Sequence, residues 1–347
     1  MLFKFIFLIP AFVLHASLSG CILFIFISLR IFLALLSNPL KILNCFLIVS
    51  EIILINLITG LLASFLHISQ KFCSEFMKSH YITYKNSTVH YRQFGNGSKL
   101  LFCFHGYGRE SDTFYILERR LGNIFTIIAI DVPFHGRTEW KDEIIFKPEY
   151  LQNLLLQIRS SLNKENIKFS LLGFSMGGRI ALHLTQLMPD KIERLVLLAP
   201  DGLNFNFWRW LASDTWLGNR FVNYTMHNAE WIEWILNKAE KRKVIHSNLA
   251  DFVRYYLDDN EHRLMFYHKY ISMRKFKPSL SKLKRLIKKY NIQVKMMFGR
   301  FDRVIPFTGG ERFKEGIEEF VSLKIVETGH HLLSEMQVDK IVQLIND

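Results

Sequence analysis

The chain has 347 residues, of which 50% are hydrophobic, and its formal net charge is +13 at pH 7. This length is ample for one globular domain and a further segment, but the basic excess is not accompanied by a recognisable nucleic-acid-binding module. The cysteines lack the paired spacing of a zinc site or a disulfide framework, and no Gly-rich phosphate loop precedes a Lys-Ser or Lys-Thr pair. We therefore expect no metal, no cofactor and no nucleic acid partner.

Residues 1–76 differ in character from the rest of the chain. Residues 5–29 contain no Asp, Glu, Lys or Arg, and residues 42–68 contain only Glu51. Each run is long enough to cross a hydrocarbon layer of about 30 Å as a helix, although a carboxylate at mid-membrane costs on the order of 3 kcal/mol. We expect a membrane anchor made of a helical hairpin, or of one transmembrane helix and one interfacial helix. Alternatively, translation starts at Met77 and the protein is cytoplasmic.

An apolar strand at residues 100–104 leads into the glycine-bracketed loop His105-Gly106-Tyr107-Gly108. Such a loop is suited to turning a backbone N–H towards a negatively charged oxygen, as an oxyanion hole requires. We expect the N–H of Tyr107 to be one donor and the N–H of Met176, further along the chain, to be the other. His105 is expected to pin the loop through its ring nitrogens.

A second apolar strand, at residues 124–130, runs into Asp131-Val132-Pro133-Phe134-His135-Gly136-Arg137-Thr138. A carboxylate at the start of a loop commonly accepts hydrogen bonds from the loop backbone. We therefore expect Asp131 to organise this loop and His135 to pin it, with neither taking part in chemistry.

The segment Gly173-Phe174-Ser175-Met176-Gly177-Gly178 lies between an apolar run at residues 169–172 and a helical run at residues 179–182. The pattern predicts a serine on a sharp strand-to-helix turn, where glycines two residues to either side let the strand and the helix approach closely. A serine hydroxyl is a poor nucleophile at neutral pH and needs a histidine base that is itself oriented by an acid. Ser175 is the candidate nucleophile.

About ninety residues separate a strand ending near Pro200 from one beginning near Gln293, which is far more than a helical crossover requires. Aromatic and apolar residues recur there at helical spacing. We predict a helical cap at residues 203–290, inserted between the two parts of a core at residues 77–202 and 291–347. The aromatic residues of the cap either line an apolar pocket or form the packing face of the cap itself.

The predicted cap is also basic, with 17 Lys and Arg against 8 Asp and Glu. Within it, residues 282–289 interleave basic and apolar side chains at helical spacing. Such a helix lies on an anionic membrane surface, steers acidic substrates, or presents a solvated face in a basic protein.

Two further strands supply partners for Ser175. The apolar run at residues 294–299 is followed by a loop that contains Asp302, and the run at residues 321–326 is followed by Gly329 and His330. Each of these polar residues comes just past a strand, as Ser175 does. We expect His330 to be the base and Asp302 to orient it.

One alternative remains open for each partner. Asp201 follows the strand at residues 195–198 and is a second candidate for the acid, although Asp-Gly is also an ordinary turn pair. His331 is a second candidate for the base because it is adjacent to His330.

The motifs resemble those of the α/β-hydrolase superfamily, in its esterase, lipase and C–C hydrolase branch. The resemblance extends from about residue 82 to the C-terminus and rests on His105-Gly106-Tyr107-Gly108, the segment 131–138, the segment 173–178, Gly299-Arg300-Phe301-Asp302 and Gly329-His330. It implies an α/β fold with a mostly parallel, doubly wound sheet of about eight strands, helices on both faces and a helical cap after the sixth strand. Phe134 stands where the family motif usually has glycine, a departure expected to affect substrate shape more than chemistry.

By this resemblance Ser175 is the nucleophile, His330 the general base and acid, and Asp302 the orienting acid. Tyr107 and Met176 form the oxyanion hole. The implied reaction is hydrolysis of an ester of a small or medium apolar acid through an acyl-enzyme. The same machinery also supports C–C hydrolysis, elimination, acyl transfer or cofactor-free peracid formation.

Two other classes are considered. A non-catalytic, membrane-anchored binding protein that keeps the fold is an alternative of a different class. Epoxide hydrolases and haloalkane dehalogenases are disfavoured because they need an aspartate where Ser175 stands.

Overall fold

Segments of six to eight residues form the strands of one mixed sheet. The structure, a computed structural model, describes residues 78–204, 215–228, 230–241 and 260–346. Within these residues eight strands pair in the order β1-β2-β4-β3-β5-β6-β7-β8. Their bounds are β1 Lys78–Tyr84, β2 Ser87–Phe94, β3 Lys99–Phe104, β4 Phe125–Ile130, β5 Phe169–Phe174, β6 Ile192–Leu198, β7 Gln293–Gly299 and β8 Val321–Val326.

Strands β3 to β8 run parallel to one another, whereas β2 pairs antiparallel with both β4 and the edge strand β1. Every residue of β4 and β5 is buried, as expected for central strands that are covered on both faces. The mostly parallel, eight-stranded sheet predicted from the sequence is therefore confirmed.

Helices cover both faces of the sheet and also follow the sixth strand. They are α1 Glu118–Leu121, α2 Pro148–Ser161, α3 Met176–Leu187, α4 Trp216–His227, α5 Glu230–Lys241, α6 Asn260–Ser272, α7 Leu280–Tyr290, α8 Thr308–Lys314 and α9 Val338–Asn346. Helix α3 packs on β3, β5 and β6, and both α2 and α7 pack on α3. Helix α9 packs on β7 and on the 3₁₀ turn Ser111–Leu117.

The helical insertion predicted after β6 is confirmed for the part of the chain that the structure describes, since α4, α5 and α6 all lie between β6 and β7. Helix α4 packs against α6 through two polar contacts. Tyr267 donates a hydrogen bond of 3.4 Å to the side chain of Asn219, and Arg263 donates one of 3.0 Å to the carbonyl oxygen of Met226. The residue limits of the cap remain a prediction.

Helix α7 contains the basic segment singled out in the sequence. Its apolar residues Leu283 and Ile287 are fully buried and belong to the main hydrophobic core. Lys284 donates hydrogen bonds of 3.2 and 2.8 Å to the carbonyl oxygens of Arg312 and Glu315. Because the apolar face is already packed against the core, it does not supply a surface for insertion into lipid.

The apolar runs at residues 5–29 and 42–68, on which the membrane anchor was predicted, lie outside the described residues. In the ranges that the structure does describe, no helix combines the length and the apolar character needed to span a bilayer. The predicted anchor and the alternative start at Met77 therefore both stay predictions.

Candidate active site

Ser175 occupies a sharp turn between β5 and α3. Its backbone angles are φ 53° and ψ −116°. This conformation costs an L-residue free energy and persists only where the surrounding structure holds it in place. Close packing provides that support. A Cβ atom added to Gly173 would lie 2.3 Å from the carbonyl oxygen of Gly177, and one added to Gly177 would lie 1.9 Å from that of Phe104. Only glycine fits at these two positions without moving the backbone.

Three of the predicted site residues come together at the carboxyl ends of β5, β7 and β8. The Nε2 atom of His330 lies 3.1 Å from Oγ of Ser175, and its Nδ1 atom lies 2.7 Å from Oδ2 of Asp302. The carboxylate of Asp302 is fully buried. Its other oxygen accepts hydrogen bonds of 2.8 Å from the N–H groups of Val304 and Ile305.

The side chains of the two alternatives left open by the sequence have other partners, although the N–H of Asp201 donates a hydrogen bond of 2.9 Å to the carbonyl oxygen of Ser175. Asp201 is 3.3 Å from Nε of Arg179 in an ion pair. His331 is exposed, and its Nδ1 atom is 3.5 Å from a guanidinium nitrogen of Arg109. The structure thus brings neither residue into the contacts that link Ser175 to His330.

The loop after β3 lies directly beside the serine. A Cβ atom added to Gly106 would be 3.3 Å from Cβ of Ser175. Met176 is the first residue of α3, and the first N–H groups of a helix have no acceptor within the helix. The N–H of Ser175, by contrast, donates to the carbonyl oxygen of Leu198 at 3.0 Å. The assignment of Tyr107 and Met176 to an oxyanion hole remains a prediction that this arrangement favours.

The side chain of Tyr107 connects this loop to the cap. Its hydroxyl donates a hydrogen bond of 3.1 Å to the carbonyl oxygen of Phe266 in α6, and the two rings are 5.4 Å apart. The cap helix therefore contacts the residue whose backbone N–H is the predicted oxyanion donor.

Asp131 organises the loop that follows β4, as expected. Its carboxylate accepts hydrogen bonds from the N–H groups of Ser111 at 2.6 Å and Arg137 at 3.0 Å, and lies 2.6 Å from Nδ1 of His90. Burial alone would raise the pKa of Asp131, but these hydrogen bonds, above all the one from His90, lower it below its ordinary value. A Cβ atom added to Gly136 would clash with this carboxylate.

The rings of His105 and His135 are tilted by 50° with centroids 5.0 Å apart, and the ring of His135 lies beside that of Tyr107. One ring nitrogen of His105 contacts the carbonyl oxygen of Gly106, and one of His135 contacts that of Pro133. Burial lowers the pKa of both histidines, that of His135 to about 3. Both rings are therefore neutral at physiological pH and hold their loops, as the sequence predicted.

Phe134 adopts the left-handed backbone conformation, with φ 65°. This is the position where the family motif usually has glycine, which reaches such angles at little cost. The ring of Phe134 lies 5.2 Å from that of His268 in α6. The strained residue therefore contacts the cap.

A cavity of about 410 Å³ lies between α7, α8 and the segment that follows β6. It is lined by Leu203, Asn204, Leu280, Ser281, Lys284, Arg312 and Phe313. None of these is a predicted site residue. Its two cationic side chains already have partners, because Lys284 binds backbone carbonyls and Arg312 donates to Asn204 at 2.7 Å.

Two residues with a role in the site geometry were missed in the sequence. The ring of Phe174 lies 5.1 Å from that of His330 and so helps to fix the orientation of the imidazole. Phe266 contacts Tyr107 from 159 positions away in the chain. No local pattern identifies such a contact.

Comparisons with known proteins assign the chain to a fold family. The sequence profile of a family described as having the alpha/beta hydrolase fold matches residues 99–335. Over 267 aligned residues the chain is 24% identical to the uncharacterized hydrolase YugF of Bacillus subtilis. The alignment covers 75% of this chain and 93% of that protein.

A second relative is the pimeloyl-[acyl-carrier protein] methyl ester esterase of Pseudoalteromonas atlantica, 28% identical over 114 residues, which cover 33% of this chain and 42% of the esterase. Among solved structures, a thermophilic esterase from Thermogutta terrifontis superposes with a TM-score of 0.56 at 16% identity, covering 78% of this chain and 97% of that one. At that identity the likeness concerns the fold. The profile, which spans most of the chain, shows that this protein belongs to the α/β-hydrolase family and is a hydrolase.

Proposed function

We propose that the protein is a serine hydrolase that cleaves carboxylic esters through Ser175, His330 and Asp302. The observation that carries the proposal is the unbroken line of contacts from Oγ of Ser175 to His330, at 3.1 Å, and from His330 to Asp302, at 2.7 Å. Such a line lets an imidazole take the serine proton while a buried carboxylate fixes the orientation of the ring.

In the first half-reaction, Oγ of Ser175 attacks the ester carbonyl carbon while His330 accepts its proton at Nε2. The carbonyl oxygen becomes negatively charged in the tetrahedral intermediate, and donors that are already oriented towards it stabilise that charge. The N–H groups of Met176 and Tyr107 are the proposed donors. Collapse of the intermediate expels the alcohol, which takes the proton from His330 and leaves an acyl group on Ser175.

In the second half-reaction, His330 removes a proton from water, which attacks the acyl carbonyl carbon. The tetrahedral intermediate then releases the carboxylic acid and returns the proton to Ser175. Asp302 stays ionised throughout and stabilises the imidazolium that forms in each half. Hydrogen bonds from the N–H groups of Val304 and Ile305 hold the carboxylate in place.

The choice of an ester over other acyl or carbon substrates is supported by the relatives. One is named a methyl ester esterase and one of the superposed structures is an esterase. C–C hydrolysis on the same machinery is the alternative to which a negative result would point.

The test is turnover of aryl esters with acyl chains from acetate to decanoate by the full chain and by the Ser175→Ala variant. We expect measurable turnover by the wild type and a loss of about 10⁴-fold or more in the variant, with an unchanged circular dichroism spectrum. A folded variant that keeps more than about a tenth of the activity would contradict the assignment of the nucleophile. Absence of turnover across the panel would contradict ester hydrolysis.

A further inference from the structure

The side chain of Tyr107 is held on two sides. Its hydroxyl donates a hydrogen bond of 3.1 Å to the carbonyl oxygen of Phe266 in α6, and its ring lies 5.4 Å from the ring of Phe266. On the other side, its ring is nearly perpendicular to that of His135, at 86°, with centroids 5.9 Å apart. The residue whose N–H is the predicted oxyanion donor is therefore joined to both the cap and the loop after β4.

The backbone on either side of Tyr107 is glycine. Gly106 is buried, and a Cβ atom added to it would lie 3.0 Å from the ring of Phe174 and 3.3 Å from Cβ of Ser175. Gly108 is exposed, and a Cβ atom added there would meet no described residue within 4 Å apart from its chain neighbours. Because glycine permits many backbone conformations, the main chain alone leaves the peptide group between Gly106 and Tyr107 several orientations.

A tight turn narrows that choice. The N–H of Arg109 donates a hydrogen bond of 3.1 Å to the carbonyl oxygen of Gly106, so that Tyr107 and Gly108 occupy the two central positions of the turn. Gly108 has φ 68°, as the third residue of a type II turn requires. The hydrogen bond that closes the turn does not involve Tyr107. Contacts of the Tyr107 side chain therefore bear directly on how this residue is oriented.

Helix α6 gives that side chain a firm attachment point. The last residue of the helix, Ser272, is fully buried, and its carbonyl oxygen accepts a hydrogen bond of 3.0 Å from the N–H of Phe146 in the core. Ile271 is buried as well. Phe266 lies about 9 Å before Ser272 along the helix axis, within the same regular helix. A carbonyl oxygen has two lone pairs, so that of Phe266 accepts the Tyr107 hydroxyl without giving up a hydrogen bond of the helix.

We propose that the hydroxyl of Tyr107 is a positioning group for the reaction. By binding the carbonyl oxygen of Phe266, it fixes the direction of the Tyr107 N–H, and it thereby makes the oxyanion hole depend on the docked cap helix. The inference rests on the proposed function, which supplies the negatively charged oxygen. Donors stabilise that charge best when they are oriented before it develops. The hydroxyl acts through the backbone and is not itself a catalytic group.

The first experiment measures kcat and KM of the full chain and of its Tyr107→Phe variant on p-nitrophenyl butyrate. Loss of a whole oxyanion donor lowers kcat by about 10²- to 10³-fold. Tyr107→Phe keeps the ring and the N–H and loses only the hydroxyl, so we expect a smaller loss, about tenfold in kcat, with KM within about twofold of the wild type. A hydrogen bond that only held the cap on the core would instead raise KM or lower the melting temperature, with kcat unchanged.

The matched control is Tyr81→Phe. It removes a hydroxyl from a tyrosine of β1 that is 57% exposed and that lies outside the candidate site. Both of its kinetic constants should stay within about twofold of the wild type. Circular dichroism of the two variants checks that each is folded.

The second experiment measures by calorimetry the binding of two ketones of equal chain length. Oγ of Ser175 adds to the carbonyl carbon of trifluoromethyl hexyl ketone while the serine proton passes to His330, and the carbonyl oxygen becomes an oxyanion in the hole. Methyl hexyl ketone is much less electrophilic and binds as a ground-state analogue. We expect Tyr107→Phe to weaken binding of the trifluoromethyl ketone about tenfold and that of the methyl ketone less than about twofold.

Equal affinity of the wild type and Tyr107→Phe for the trifluoromethyl ketone would overturn the proposal. A kinetic loss confined to KM, an equal loss of affinity for both ketones, or a wild type that does not bind the trifluoromethyl ketone would also overturn it. Failure of the proposed function has a different signature. In that case the wild type hydrolyses no ester, while it still binds the trifluoromethyl ketone about tenfold more tightly than Tyr107→Phe does.

Discussion

The Nδ1 atom of His330 lies 2.7 Å from a carboxylate oxygen of Asp302, which decides between the two aspartates that the sequence left open as partners. Asp201 instead pairs with Arg179. We expect Asp302→Asn to lower kcat by about 10³- to 10⁴-fold, because the amide no longer stabilises the imidazolium. The matched control, Asp201→Asn, should keep kcat within about threefold of the wild type. Comparable losses in the two variants would reassign the acid.

The histidine pair gives a second prediction. His330→Ala should reduce turnover of an aryl ester as severely as loss of Ser175, because nucleophile and base act as one unit. His331→Ala should retain most of the activity, since its exposed contact with Arg109 contributes little. Steady-state kinetics on both purified variants, with circular dichroism as a check of folding, measures the difference. Full activity in the His330 variant would refute its role as the base.

Phe134 tests the cost of a strained backbone. Both Phe134→Ala and Phe134→Gly remove the ring contact with His268, but only glycine relieves the positive φ of 65°. We expect the glycine variant to be more stable than the alanine variant by roughly 1 kcal/mol. Urea unfolding of the two variants measures this difference. An alanine variant as stable as the glycine variant would show that the conformation costs little here.

The lowered pKa of His135 predicts how the stability of the protein depends on pH. Burial lowers its pKa from 6.5 to about 3 in the folded protein, so the unfolded chain binds a proton that the folded protein does not. The stability that this residue contributes is fully present above about pH 6.5 and is lost as the pH falls towards 3. Between pH 7 and pH 5 the free energy of unfolding should fall by about 2 kcal/mol from this residue alone.

The variant His135→Phe, which keeps an aromatic ring beside His105, isolates that contribution. Between pH 7 and pH 5, the free energy of unfolding of this variant should fall by about 2 kcal/mol less than that of the wild type. His105, Asp131 and Lys269 also act on this ring, and all three are retained in the comparison. Identical pH dependence in the two proteins would contradict the neutral, buried state of His135.

Much of the site could be predicted from the sequence because its parts follow a simple rule of parallel sheets. Ser175, Asp302 and His330 each come just past an apolar run, and the carboxyl ends of parallel strands meet at one edge. The glycines around Ser175 added a second local signal, because a close approach of strand and helix leaves no room for a Cβ atom.

The remaining features depend on contacts between distant parts of the chain. The hydrogen bond from Tyr107 to Phe266 joins a loop of the core to a cap helix, and neither local sequence marks the other. Helix α7 shows the same limit in a different way. Its pattern of basic and apolar residues fits a helix lying on lipid as well as one packed on a core, and only the burial of Leu283 and Ile287 distinguishes the two.

The assignment of Ser175 as an activated nucleophile is tested most directly by covalent labelling. A fluorophosphonate probe reacts with a serine whose hydroxyl is activated by a neighbouring base. Mass spectrometry of peptides from the labelled full chain should locate a single adduct on Ser175, and the His330→Ala variant should give none under the same conditions. An unlabelled wild-type protein, an adduct on another serine, or undiminished labelling without His330 would contradict the account.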